Sequence, residues 1–105
     1  MINKLSVVKI FLTLLLLVAS TGVVLAGDPM KGRSLYENRC AGCHGENGTP
    51  QVTEIPNFKM GQGLMKSDQQ LLEFVKKGKG VMPGFKGILT DTDILDILAY
   101  VRTFF

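Results

Sequence analysis

The part of this chain that can build a core is small. Of its 105 residues, the first 26 read as a leader. Lys4 and Lys9 carry charge near the start, residues 10–18 form an apolar run broken only by Thr13, and Val24-Leu25-Ala26 ends it in the pattern that a signal peptidase reads. Cleavage is expected after Ala26. A retained membrane anchor is the alternative, but residues 10–26 include Thr13, Ser20, Thr21 and Gly22, and the stretch falls short of the roughly 20 apolar residues of a stable span. Removing 26 of 105 residues leaves 79, residues 27–105, as one domain. A chain of that size buries a modest share of its surface and leans on a staple, a metal or a cofactor.

Charge narrows the classes. The whole chain has a formal net charge of +3, and the leader takes Lys4 and Lys9 with it. What remains is close to neutral, so a nucleic-acid footprint is not supported. Export permits a disulfide. The two cysteines, Cys40 and Cys43, are only three positions apart. A bridge closing so small a loop removes little chain entropy and makes a weak staple.

Three helical segments follow the leader. Asp28-Pro29 is a helix start, with Asp as N-cap and Pro at the first helical position; Gly32, Leu35, Tyr36 and Arg39 continue at helical spacing. Residues 40–66 read as loop, punctuated by Asn47-Gly48, Pro50, Pro56 and Gly61. Ser67 with Gln70 predicts a capping box, and Lys76-Lys77-Gly78 a C-terminus. Thr90 opens the last helix, whose Ile94, Ile97, Leu98 and Val101 recur at i, i+3, i+4 and i+7. No strand stands out, so the class is all-α. The long central loop would count against a compact fold unless it wraps a large cofactor.

Cys40-Ala41-Gly42-Cys43-His44 supplies that cofactor: C-x-x-C-H is the attachment signature of c-type haem. Two thiols must reach two vinyl groups on one porphyrin edge, and the next residue must bring an imidazole to the iron. His44 is the only histidine. A thiol–disulfide oxidoreductase also uses C-x-x-C, but beside a βαβ pattern that is absent here. A zinc site would find two Cys and one His, with Glu46 and Glu54 as fourth-ligand candidates that no spacing favours. With no second histidine, a methionine is the natural sixth ligand. Met30, Met60, Met65 and Met82 are available. Met60 and Met65 read as core packing, whereas Pro83 and the flanking glycines give Met82 a tight, pre-set loop.

Together, residues 28–104 resemble a class I c-type cytochrome, a cytochrome c-like fold with three main helices and long loops around one covalent haem c. Gly32 and Tyr36 resemble the Gly-and-aromatic pair of the N-terminal helix; Ile97 and Tyr100 resemble the aliphatic and aromatic pair of the C-terminal helix that crosses it. Pro56-Asn57-Phe58 resembles the segment whose proline carbonyl accepts a hydrogen bond from the ligand histidine, and Met82-Pro83 resembles the methionine-ligand loop. The resemblance implies covalent attachment at Cys40 and Cys43, axial ligation by His44 and Met82, and a haem pocket including Pro56, Phe58 and Phe85. No tryptophan is present to contact a propionate. It further implies a monomeric periplasmic single-electron carrier, not an enzyme, meeting redox proteins, and membrane-anchored only if the leader is retained. A ligand-binding or sensing haem protein and an accessory subunit of a larger exported oxidoreductase are the alternatives. Lys76, Lys77, Lys79 and Lys86 flank Met82, a collar suited to an acidic docking face.

Overall fold

A computed structural model describes residues 1–18 and 27–105. The expected cleavage point after Ala26 adjoins residues 19–26, outside the described part. Helix α1, Lys4–Val18, starts at Asn3, whose side chain accepts from the Ser6 N–H and hydroxyl at 3.0 and 2.7 Å. Among the described residues, no helix is long and apolar enough to cross a membrane.

The rest of the described chain is helical, with two isolated β-bridges and no strand. Helix α2, Pro29–Arg39, begins as its sequence predicts: the Asp28 carboxylate accepts from Met30 and Lys31 N–H, at 2.9 and 3.4 Å. Helix α3 is one turn, Ala41–His44, and a 3₁₀ turn covers Phe58–Met60. Both lie inside a stretch that reads as loop, because a single turn is shorter than any apolar period. Helix α4, Asp68–Lys77, opens on the Ser67/Gln70 capping box, formed in both directions. Helix α5, Asp91–Val101, opens on a second box, Thr90 with Asp93.

Helices α2 and α5 cross at Gly32. A Cβ on Gly32 would run into the Asp96 carbonyl, so a side chain there would force the two backbones apart. The crossing brings Tyr36 against Tyr100, ring centroids 5.5 Å apart and edge-on, and against Phe104 at 5.3 Å. Tyr36 and Ile94 are wholly buried; Leu64, Leu71, Leu72, Phe85, Leu89, Ile97, Leu98 and Val101 complete the core. The α5 stripe seen in the sequence is thus the face that packs on α2 and α4.

Arg102 ties the end of α5 to the start of α4. Its guanidinium donates to the Leu64 carbonyl at 2.8 Å, to the Lys66 carbonyl at 3.0 Å and to Asp68 Oδ1 at 2.8 and 3.2 Å. Nothing local in the sequence signals this clamp, because its partners lie 34–38 residues away.

Candidate haem site

The C-x-x-C-H segment starts where α2 stops. Cys40 is the C-cap of α2, its N–H donating to the Tyr36 carbonyl at 2.8 Å, and the residue from which α3 turns. The His44 N–H returns to the Cys40 carbonyl at 2.9 Å. Cys40, Cys43 and His44 therefore stand at i, i+3 and i+4, which one helical turn places on a shared face. The Tyr36 hydroxyl donates to the Gly45 carbonyl at 2.6 Å, pinning the residue after His44 to the core.

Both thiols are free, Cys40 half-buried and Cys43 exposed. Burial, and then the neighbouring Cys43, push the Cys40 thiol up to about 11. Burial also lowers the basicity of His44, which favours the neutral imidazole that binds metals. The His44 ring lies flat on Phe58, centroids 4.6 Å apart and 12° from parallel. Its Nδ1 is buried without a hydrogen-bond partner. The bond to the Pro56 carbonyl that the resemblance implies is therefore not formed here; the flat contact with Phe58 sets the ring instead. Pro56 and Phe58 are both half-buried.

The methionine loop is held from below by α4. The last turn of a helix leaves carbonyls unpaired. Here Phe85 N–H takes the Val75 carbonyl at 3.0 Å and Lys86 N–H takes that of Lys76 at 3.2 Å. Gly78, at φ 72°, turns the chain back, and a Cβ on it would lie 2.5 Å from Gly84 N and 2.7 Å from the Met82 carbonyl. Lys79 and Met82 then exchange both backbone hydrogen bonds at 3.0 Å. Met82 comes out half-buried against the core. Met30, Met60 and Met65 are 78, 71 and 90 % exposed. The expectation that Met60 and Met65 fill the core is thereby corrected: their segment, apart from Gly61 and Leu64, runs over the surface. Phe85 is 8 % exposed and belongs to the core cluster.

These residues fit a covalent haem. Cys40, Ala41, Phe58, Val75 and Met82, from four separate segments, are apolar side chains packed on the core and left partly uncovered. Beside them stand two free thiols and an imidazole with an unmet nitrogen. A porphyrin would offer vinyl carbons to the thiols, iron to the imidazole and an apolar face to the rest.

Comparison with known proteins agrees. Residues 27–101 match a family model described as cytochrome C oxidase, cbb3-type, subunit III. The chain is 36 % identical over 88 residues to cytochrome c6 of Thermosynechococcus vestitus, covering 82 % of this chain and 79 % of the relative. It is 32 % identical over 80 residues to cytochrome c6 of Synechocystis, covering 73 and 66 %. Cytochrome c of Theileria annulata is 30 % identical over 102 residues, covering 76 and 89 %. With its all-α fold and its C-x-x-C-H turn, the chain belongs to the class I c-type cytochromes and is a monohaem electron carrier with one covalent haem c.

Proposed function

We propose that this protein is an exported single-electron carrier whose haem is attached through Cys40 and Cys43 and whose iron is ligated by His44 and Met82. The bound haem supplies one reversible electron at its iron. The chain holds the His44 imidazole neutral and half-buried, and it keeps the Met82 thioether sheltered. The observation that carries the reading is the contrast among methionines. Met82 alone of the four in residues 27–105 is drawn against the core, by a loop stitched to the end of α4. If His44 and Met82 hold the iron, no ligand position would be left for a substrate, which favours carrying over catalysis. The match of the family model begins at Gly27, which favours a domain of residues 27–105 behind a cleaved leader, and hence the periplasm.

The docking face is reduced from its sequence outline. Lys76 is 3.1 Å from Asp91 and 3.9 Å from Glu73, and the hydrogen bond with Asp91 holds its ammonium above the ordinary lysine value. Lys77, Lys79 and Lys86 are exposed and, among the described residues, make no ion pair. These three, with the 93 % exposed Val81 beside Met82, form the face offered to an acidic redox partner.

Met82→Ala tests the ligation. The oxidised protein is expected to lose the weak far-red absorption of sulfur–iron bonding and to fall in reduction potential, because a thioether favours reduced iron. If Met60→Ala or Met65→Ala does this and Met82→Ala does not, the assignment fails.

A further inference from the structure

Asp96 is the one charged side chain buried among the described residues, 5 % exposed. Its Oδ1 accepts the Asp28 N–H at 2.7 Å, across 68 residues of sequence. No lysine or arginine pairs with it among the described residues. A buried carboxylate with one amide donor and no cation is costly, and removing or supplying its partner has large effects. Asp28 offers no cation, and its own carboxylate already accepts two N–H groups of α2.

The chain that would supply the cation is already beside it. Gly27 presses on α5 so closely that a Cβ there would run into the Leu95 carbonyl and sit 3.0 Å from Asp96 N. The Gly27 nitrogen is one residue, about 3.8 Å of chain, ahead of the N–H that Asp96 holds. While Gly27 is joined to Ala26, that nitrogen is a neutral amide. Hydrolysis of the 26–27 peptide bond adds one water, leaving a carboxylate on Ala26 and an ammonium on Gly27. An α-amino group titrates at about 7.7–8.0, so it is largely charged at neutral pH. We propose that leader removal makes the missing partner: the new Gly27 ammonium docks on the buried Asp96 carboxylate and locks the α2–α5 crossing. The proposal rests on cleavage after Ala26. It gives a physical reason for a buried aspartate at the close approach of Gly27 and Gly32 to α5. It also makes the processed protein more stable than the same domain with any extension at residue 27.

The test is a double-mutant cycle on exported holoprotein. One arm inserts a single alanine between Ala26 and Gly27, moving the amine one residue outward; the other is Asp96→Asn, which keeps an acceptor for Asp28 N–H but removes the charge. Intact mass identifies the first residue of each product. In the Asp96 background the insertion is expected to lower the folding equilibrium constant about tenfold, and in the Asn background about twofold or less. Equal losses in both backgrounds overturn the pairing. A processed wild-type chain beginning elsewhere than Gly27 overturns the cleavage on which it rests, a separate result read from the mass alone. Should Asp96→Asn fail to fold, amine acylation decides. The Gly27 amine, held as a buried ammonium, is expected to react about tenfold more slowly than the amine of the alanine-extended chain; equal rates overturn the proposal.

Discussion

Arg102 shows how one side chain can hold a molecule this small. Its guanidinium offers a rigid fork of donors, and it spends them on two carbonyls and one carboxylate. The Asp68 carboxylate is 60 % exposed, so the ion pair itself is weak, worth about 1 kcal/mol or less. The carbonyl bonds matter more, because the Leu64 bond is part-buried and hydrogen bonds to charged groups contribute about 1.5–3 kcal/mol. Arg102→Lys, which keeps the charge and loses the fork, is therefore expected to cost about 1–2 kcal/mol in denaturant unfolding. Asp68→Asn is expected to cost less. Equal costs would place the stabilisation in the ion pair instead. Tyr36 works similarly from the other side: wholly buried, it joins the aromatic contacts of α5 to the carbonyl that follows His44, so core packing and the placement of the C-x-x-C-H turn share one residue.

Among the elements, the α2–α5 crossing sets the frame and the α4 terminus sets the methionine loop. The crossing is tight because Gly32 meets backbone, not a movable side chain. Gly32→Val must push α2 away from Asp96 and Ile97, and overpacking of this kind costs about 1–3 kcal/mol. Its melting temperature is expected to fall clearly below the parent's; an unchanged value would mean the helices can separate freely. The caps of α2, α4 and α5 are legible in the sequence because each is completed within three residues: Asp28 with Met30 and Lys31, Ser67 with Gln70, Thr90 with Asp93. The short turns at Ala41–His44 and Phe58–Met60 are not, since neither has length enough to show a period.

For the molecule as a whole, charge is uneven. Residues 27–105 hold ten basic and nine acidic residues, yet Lys77, Lys79 and Lys86 gather near the methionine loop. Redox encounters are small and transient, and steering sets their rate more than contact area does. Screening shortens from about 10 Å at 0.1 M salt to about 3 Å at 1 M. Oxidation of the reduced protein by the anionic probe hexacyanoferrate(III) is therefore expected to slow as ionic strength rises. Lys79→Glu with Lys86→Glu is expected to slow it at low salt and flatten the dependence, with the haem spectrum unchanged. A wild-type rate that is flat in salt would leave the lysines as a solubility feature and put the weight of docking on Val81. Phe85 cannot take that role, because it is buried.

The sequence by itself determined whatever is completed between near neighbours. The haem-attachment turn, the three caps, the amphipathic stripe of α5 and the all-α class are each written within a few consecutive residues, where backbone geometry fixes the distances. The tertiary structure decided what depends on groups brought together from afar. It drew Met82 alone among the four methionines of residues 27–105 against the core, while Met60 and Met65 face solvent. It withdrew Lys76 from the basic face by pairing it with Asp91. It buried Asp96 beside Gly27, and it closed Arg102 on carbonyls more than 30 residues away. Burial belongs to the packed chain and not to any residue type, so a carboxylate, a lysine or a thioether acquires its role only when the helices have closed around it.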